Sequence, residues 1–310
     1  MVYLCASIIY FKLYKMIIFI FLLLSLLSFQ LLQAQDKEYI QSVNQWHQMR
    51  IDYLKKPDGW LNLEGLFWLQ KGRNSFGSAS NANCHYENKD FPALLGSFIY
   101  EGDSVIWENG KTEAITINNV KTGLSQSYKV FDAQGQASEM DWEQFNWVVI
   151  KREDKVGIRF RNLKAKTLLS FTDIERFPIQ SKWHIKAKLV QPVQDFLMIT
   201  NVLGQTVSSK NAGKLLFEIE GKSFSLDVID ENGPTLFIVF ADQSSGKTTY
   251  GAGRFIDIPK PDKDGNTEID FNNAYNPPCA FTPFATCPLP PKQNRLPISI
   301  EAGEKNYGHH

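Results

Sequence analysis

The sequence predicts a mainly β fold, an antiparallel sandwich or barrel with one N-terminal amphipathic helix and a proline-rich, ordered C-terminal wrap. Three observations predict it. Apolar and polar residues alternate through many short segments after residue 60, turn dipeptides separate several of these segments, and no strand–helix alternation occurs. The 310 residues are enough for one large β domain or for two smaller ones.

Residues 1–34 are predicted to be a signal peptide. An apolar run over residues 17–29 follows Lys12 and Lys15 and precedes Ala34, which matches the three-part pattern of such leaders. The alternative is an uncleaved membrane anchor, for which this run is short. We therefore expect a soluble periplasmic or secreted protein that meets the membrane only through the leader, before cleavage.

Residues 36–57 are predicted to form the N-terminal helix. Asp36 can cap its start, and Pro57 ends it. Its apolar stripe recurs at steps of three and four residues and comprises Tyr39, Ile40, Val43, Trp46, Arg50 and Tyr53. Residues 58–310 are predicted to form a single large β domain, with a candidate subdivision near residues 165–180.

Three hairpins are predicted from turn signals between alternating segments. The first has its turn at Asn109-Gly110, the second at Glu153-Asp154 and the third at Gly221-Lys222. Further strands are predicted at 61–69, 183–189, 236–241 and 267–271 from alternation or from short apolar runs.

Composition excludes one class of partner and leaves two readings of the aromatic content. The 33 basic residues balance the 33 acidic ones, and without a basic run the chain is not expected to bind nucleic acid. The 22 Phe, 11 Tyr and 7 Trp indicate either a β core or a surface that stacks sugars or other flat ligands. The oligomeric state is left open.

The cysteines and the C-terminal prolines point to the same segment. Seven of the 14 prolines lie between Pro277 and Pro297, which excludes regular strand or helix there, yet apolar residues among them can dock on a core. Within this stretch Cys279 and Cys287 are the best candidates for a disulfide. Two buried thiols, or a reactive thiol at Cys279, are the alternatives.

The familiar cofactor and catalytic motifs are absent. ADQSSGKT at 241–248 lacks the first glycine of a phosphate loop, and a poor helix former follows it. No nucleophile elbow exists, and the five histidines lack zinc-ligand spacing. The sequence therefore predicts no cofactor and no metal site.

Residues 270–291 read DFNNAYNPPCAFTPFATCPLPP. Related strings surround them, namely GLFWL at 65–69, TTYGAGRF at 248–255, QNRLP at 293–297 and AGEK at 302–305. This combination resembles the bacterial family known as domain of unknown function 1684, over most of the mature chain and most densely from Asp242 onward. The resemblance implies no activity, substrate or catalytic residue.

Polar groups concentrate in this same segment. We expect Asp270 as a general base, Tyr275 as a proton donor and Arg254 as a two-pronged anion clamp. Substrate-binding candidates are Tyr250, Asn273, Asn276 and Glu64. The structural alternative is that Arg254 pairs with Asp270 inside the fold, that Asn276 caps a turn and that Tyr275 only packs.

Two main hypotheses of function follow. The first is a hydrolase acting on a small or glycan-derived substrate, based on the rigid polar cluster. The second is a non-catalytic carbohydrate- or ligand-binding β module, based on the aromatic excess and the missing nucleophile or metal motif. A third, a cofactor-binding barrel, has no fingerprint in the sequence. Convergence of Asp270, Tyr275 and Arg254 in a pocket would favour the first, and tryptophans lining a groove would favour the second.

Overall fold

The structure is a computed structural model that describes residues 36–132 and 134–308. The leader predicted over residues 1–34 lies outside this part of the chain. Within it, residues 36–55 form one long helix, α1, as the apolar stripe predicts. None of the helices in the described ranges is long and apolar enough to span a bilayer.

The strands are short and nearly all antiparallel. In chain order they are β1 Leu63–Trp68, β2 Gly72–Gly77, β3 Cys84–His85, β4 Gly96–Glu101, β5 Ser104–Asn109, β6 Thr116–Ile117, β7 Val120–Lys121, β8 Ser127–Phe131, β9 Glu139–Trp142, β10 Phe145–Arg152, β11 Lys155–Asn162, β12 His184–Val190, β13 Phe196–Thr200, β14 Thr206–Ile219, β15 Lys222–Ile229, β16 Thr235–Phe240, β17 Arg254–Pro259 and β18 Asn266–Asp270. A short helix, α2 Lys166–Ser170, lies between β11 and β12.

The first eleven strands form two sheets around one aromatic core. The six-stranded sheet has the order β1-β11-β10-β9-β6-β7, and the five-stranded sheet has the order β3-β2-β4-β5-β8. Phe76 is central to the core, since its ring packs against six other aromatic rings, those of Phe67, Phe91, Phe98, Trp107, Trp147 and Phe160. Most of the aromatic excess here is therefore core, as the first of the two readings expects.

The remaining strands form a nearly closed, barrel-like sheet. Its order is β17-β16-β15-β14-β12-β18, with β13 paired to the first five residues of β14, 206–210. Alternate residues point into a second core, among them Leu215, Leu226, Ile238, Ile256 and Ile269. The change from the first sheet system to the second falls at 163–183, which includes the candidate subdivision predicted near 165–180.

Two predicted hairpins are present in the structure. β10 and β11 pair up to Arg152 and Lys155, and Glu153 has the positive φ of 53° that this two-residue turn requires. β14 and β15 pair up to Ile219 and Lys222. Their turn is therefore Glu220-Gly221, one residue before the predicted position.

The hairpin predicted at Asn109-Gly110 is wrong. β5, which ends at Asn109, pairs with β4 and β8, whereas β6 belongs to the other sheet. Asn109 is buried and acts as a polar bridge: its Oδ1 accepts from the Trp107 indole, and its Nδ2 donates to Thr122 Oγ1 at 2.6 Å. Asn-Gly usually marks an exposed turn, but here the Asn109 side-chain amide is buried and hydrogen-bonded to specific partners.

The C-terminal segment after β18 packs against the barrel and adds Phe271, Leu296 and Ile300 to its core. Its short 3-10 turns are Phe271–Asn273, Pro278–Ala280 and Lys292–Asn294. Tyr275 exchanges both backbone hydrogen bonds with Phe255, at 2.9 Å each, and so covers the free edge of β17. An uncovered edge strand is a site of aggregation, and the proline-rich wrap removes that exposure.

Candidate ligand-binding cleft

Arg254 is sealed inside the protein and is held by three acceptors. Its Nη2 donates to Asp242 Oδ2 at 2.8 Å and to the carbonyl of Ile300 at 2.9 Å, and its Nη1 donates to the carbonyl of Ala302. The side chains of both Arg254 and Asp242 are fully buried. This arginine therefore ties the C-terminal segment to the barrel. An anion clamp must be accessible from solvent, and Arg254 is not.

Asp270 is likewise occupied within the fold. Its two carboxylate oxygens accept the Tyr39 hydroxyl at 2.9 Å, and Oδ1 also accepts the amide of Asn272 at 2.9 Å. The Tyr39 ring stacks on His184, with centroids 5.1 Å apart. Asp270 thus anchors the start of α1 to β18, and it does not pair with Arg254. Asp270, Tyr275 and Arg254 do not converge in one pocket.

The substrate-binding candidates Asn276, Asn273 and Tyr250 also make internal contacts. Asn276 is buried and donates from Nδ2 to the carbonyl of Lys305 at 2.8 Å. Asn273 donates to Asp270 at 3.4 Å. The Tyr250 hydroxyl donates to the carbonyl of Cys279 at 3.1 Å, and burial raises the pKa of that phenol.

Glu64 lies in β1, far from the C-terminal candidates in the chain and in a different sheet. Its Oε2 accepts the Tyr86 hydroxyl and, at 3.0 Å, the Asn162 amide. Burial, followed by the hydrogen bond to Glu64, raises the pKa of Tyr86 to about 12. The carboxylate is therefore partnered, which is one of the two outcomes that an acidic residue in an apolar strand allows.

Cys84, Cys279 and Cys287 are all free thiols in the structure, so the predicted disulfide is not present. The two C-terminal cysteines nevertheless lie side by side, since the amide of Cys279 donates to the sulfur of Cys287 at 3.1 Å. The hydrogen bond between the sulfurs lowers the pKa of Cys279 and raises that of Cys287. Burial raises the pKa of Cys84 to about 12, as expected of an inert packed thiol.

Tyr275 differs from the other predicted residues because it lines an open cleft. The cleft has a volume of about 430 Å³, within the usual range of small-molecule sites. Six of its ten lining residues are aromatic. The full set is Trp46, Met49, Arg50, Tyr53, Trp60, Phe237, Phe255, Asp257, Tyr275 and Pro278.

Two elements form the walls of this aromatic cleft. Trp46, Arg50 and Tyr53 recur at steps of four and three along α1, so they share one face of the helix. On the barrel, Phe255 and Asp257 alternate with Ile256 and Ile258, which point into the core. The cleft therefore lies between the apolar stripe of α1 and the outer face of β16 and β17.

The rings around the cleft pack on one another and leave part of their surface open. Trp46 meets the Tyr275 ring at 5.9 Å between centroids, and Phe255 meets the same ring edge-on at 5.8 Å. Behind Trp60 lies the guanidinium of Arg159, 5.0 Å from the ring centroid. Both tryptophans are only partly buried. These large, rigid and partly exposed ring faces can stack against a flat or ring-shaped ligand.

Asp257 is the one carboxylate in the lining of the cleft. Its Oδ2 accepts the Tyr275 hydroxyl at 2.9 Å. Desolvation by the surrounding protein atoms raises the pKa of Asp257, although its side chain still contacts solvent. Burial, and then the Asp257 charge, raise the pKa of Tyr275. Together these groups offer a ligand one acceptor-rich carboxylate beside a phenol.

Arg50 connects the cleft to the protein interior. Its guanidinium lies 4.7 Å from the Tyr275 ring centroid, donates to the carbonyl of Asn276 at 2.8 Å and has Nε 3.5 Å from Glu304 Oε1. Glu304 is fully enclosed, and burial raises the pKa of its carboxyl. Arg50 and Glu304 thus hold α1 and the C-terminal segment in the positions that shape the cleft.

Sequence reasoning found Tyr275 but missed Asp257 and Trp60. An acidic residue inside the apolar run RFIDIP was the available signal for Asp257, because a strand next to a core seldom carries an unexplained carboxylate. Trp60 sits in the turn after α1 and had no periodicity to assign it. The residues described by the structure contain no group of three metal-binding side chains.

Comparison with known proteins adds a family but no activity. A family model described as "Protein of unknown function (DUF1684)" matches residues 169–305. No curated protein matches the chain. An uncharacterized protein of Haloarcula marismortui, solved by solution NMR, shares 28% identity over 44% of this chain and 77% of its own, with a TM-score of 0.37. Rad53 residues 1–466 in complex with AMP-PNP shares 12% identity over 68% of this chain and 47% of its own, with a TM-score of 0.17. At these TM-scores neither likeness supports a conclusion about fold or function.

The fold and the site define a β protein in which a barrel-like sheet, an N-terminal helix and a C-terminal wrap enclose an aromatic cleft. Residues 169–305 match the model of the domain of unknown function 1684 family, as the C-terminal motifs predict. The matched region contains β12 to β18 and most of the wrap, and the α1 wall of the cleft lies outside it.

Proposed function

We propose that the protein is an exported, carbohydrate-binding β module that holds a sugar ring in the aromatic cleft. The observation that carries the proposal is the combination of partly exposed Trp46 and Trp60 with the Asp257 carboxylate in one cleft. Sugars present an apolar ring face that stacks on aromatic side chains and hydroxyls that donate to carboxylates. Export is proposed from the leader sequence and would place the module where free glycans occur.

The internal use of the other polar candidates supports binding over catalysis. Arg254 and Asp270 are already matched with neighbours in the fold, so neither is available for a substrate. The polar groups in the cleft are instead those of Arg50, Asp257 and Tyr275, beside the aromatic rings. This is the arrangement that the binding-module hypothesis requires.

The first test measures binding of oligosaccharides by calorimetry, with hexamers from cellulose, chitin and xylan as probes. We expect the wild type to bind at least one of them and Trp60→Ala to weaken that binding about tenfold or more, because one ring–sugar stack is lost. The matched control is Trp68→Ala, since Trp68 is also partly buried but contacts Lys155 outside the cleft. Failure of every probe to bind, or equal losses in both variants, contradicts the proposal.

A hydrolase remains the second candidate because of one observation. The pKa of Asp257 is raised by desolvation, and the pKa of the nearby Glu231 carboxyl is raised by burial and then by the Asp257 charge. Glycoside hydrolysis commonly uses two carboxyl groups, one of which a raised pKa keeps protonated as the general acid. Chromatography of the same oligosaccharides after incubation distinguishes the two functions, since a binding module releases no shorter products.

We also propose that Cys279 and Cys287 become a disulfide after export. Their contact supports this pairing, and a disulfide oxidant such as oxidised glutathione would accept the two electrons and two protons that the thiols release. The folded protein is oxidised first and its thiols are then counted under denaturing conditions, which should find three free thiols in reduced samples and one, Cys84, after oxidation. Three thiols remaining after oxidation would contradict the pairing. In that case the oxidised Cys84→Ser variant would retain two free thiols, those of Cys279 and Cys287.

A further inference from the structure

A second cavity of about 680 Å³ lies on the opposite end of the wrap from the aromatic cleft and shares no lining residue with it. One wall is the hairpin of β13 and β14, and the other is the proline-rich stretch 289–295. The two walls are joined where the amide of Leu289 donates to the carbonyl of Thr200 at 2.8 Å. We call this cavity the hairpin groove.

The hairpin wall is apolar and exposed. β13 alternates strictly, so Leu197 and Ile199 point into the protein while Phe196 and Met198 point outward. Phe196 is 57% exposed, Met198 is 64% exposed, and the preceding loop adds Val193 at 96%. Large apolar side chains clustered on one exposed surface commonly mark a binding site.

The opposite wall is cationic. On the other side of the groove, Lys214 of β14 pairs with Asp227 of β15 at 2.5 Å, and Gln293 donates to the second oxygen of that carboxylate at 2.8 Å, so the charge of Asp227 is already matched. Lys292 and Arg295 are exposed, and neither forms an ion pair within residues 36–132 and 134–308. Two unmatched positive charges therefore face an apolar wall.

The cationic wall is also rigid. Asn294 lies between the two cations in sequence and is almost fully buried. Its side chain accepts the amide of Asp227 at 2.7 Å and donates to the carbonyls of Asp227 and Val239 at 2.9 Å each. The backbone that carries Lys292 and Arg295 is therefore fixed before any ligand arrives, which lowers the entropic cost of binding.

We propose that the hairpin groove binds a free anionic amphiphile, namely an unbranched fatty acid. Its alkyl chain lies along Phe196 and Met198, and its carboxylate is held by Arg295 and Lys292. Charge complementarity selects an anion, because the only carboxylate in the lining is already paired. The apolar wall selects an alkyl chain over a small inorganic anion, since each methylene buried against it adds to the affinity.

The test is calorimetric titration of the full mature protein with decanoate below its micelle concentration. We expect one binding site and an affinity that falls about tenfold or more in the double variant Lys292→Gln and Arg295→Gln, because the carboxylate loses both cations. Met198→Asp, on the exposed face of β13, should weaken decanoate binding similarly by placing a negative charge beside the chain. Lys263→Gln, an exposed lysine elsewhere, is the matched control.

Three results would overturn the proposal. Decanol or decyltrimethylammonium binding as tightly as decanoate would show that charge plays no part. Binding to phosphatidylglycerol vesicles without binding of monomeric decanoate would indicate a membrane-docking surface instead. Equal affinity of the double variant and the wild type would exclude the cationic wall. Trp60→Ala should leave decanoate binding unchanged, so this outcome is independent of the carbohydrate proposal.

Discussion

Arg254→Met is expected to destabilise the protein by about 3–5 kcal/mol, the usual cost of removing one partner of a buried ion pair. The variant leaves the Asp242 carboxylate enclosed without its counter-charge, and it removes the donors to the carbonyls of Ile300 and Ala302. Chemical denaturation followed by tryptophan fluorescence measures the loss. The wrap should detach most readily, since Arg254 joins it to β17.

An exposed arginine gives the matched control for that variant. Arg73 makes a two-pronged contact with Glu108 at 2.9 and 3.0 Å, but the Arg73 side chain is 55% exposed and that of Glu108 is 34% exposed. Arg73→Met should therefore cost less than about 1 kcal/mol. Adding Asp242→Asn to Arg254→Met should recover part of the loss because it removes the stranded charge. Similar losses for Arg73→Met and Arg254→Met would contradict the structural role assigned to Arg254.

Arg50→Met is expected to cost about 3–5 kcal/mol near neutral pH and less in acid. Glu304, almost fully buried, loses its counter-charge, and its pKa, already raised by burial, should rise further. A carboxyl whose pKa is higher in the folded than in the unfolded protein destabilises the fold as pH rises above the unfolded value. The deficit of the variant should therefore shrink as pH falls from 7 toward the ordinary glutamate pKa, about 4.3.

Denaturation curves at a series of pH values check this sign. Combining Arg50→Met with Glu304→Gln should remove most of the added pH dependence, because no titrating group remains in the pair. Lys305→Met serves as the control, since Lys305 meets the exposed Glu175 at 3.4 Å. A deficit for Arg50→Met that grows in acid, or that does not change with pH, would contradict the account of Glu304.

Local patterns predicted much of the fold. The stripe from Tyr39 to Tyr53 predicted α1 because a helix that docks on a sheet needs one apolar face. Alternation predicted β12 and the β10–β11 hairpin for the equivalent reason in strands. Asn109-Gly110 failed because a buried partner set, which only the tertiary structure creates, outweighed the usual turn preference of the dipeptide.

The site was harder to predict because it depends on contacts between distant residues. Arg254 and Asp270 are residue types that are common in catalytic clusters. Here Arg254 binds a carbonyl 46 residues away and Asp270 a hydroxyl 231 residues away, and the sequence alone does not show these contacts. Tyr275 was predicted as a proton donor. Its place in the aromatic cleft becomes visible only in the structure, where α1 positions Trp46 beside it. The aromatic excess that first indicated a core also supplies the cleft.

The central claim is that the aromatic cleft between α1 and the barrel holds the ligand. The most direct measurement is a crystal structure of the mature protein with the tightest-binding oligosaccharide from the calorimetric panel. The account predicts a sugar ring against Trp46 or Trp60, with a hydroxyl donating to Asp257. Density for the sugar at any other surface, with the cleft filled only by solvent, would contradict it.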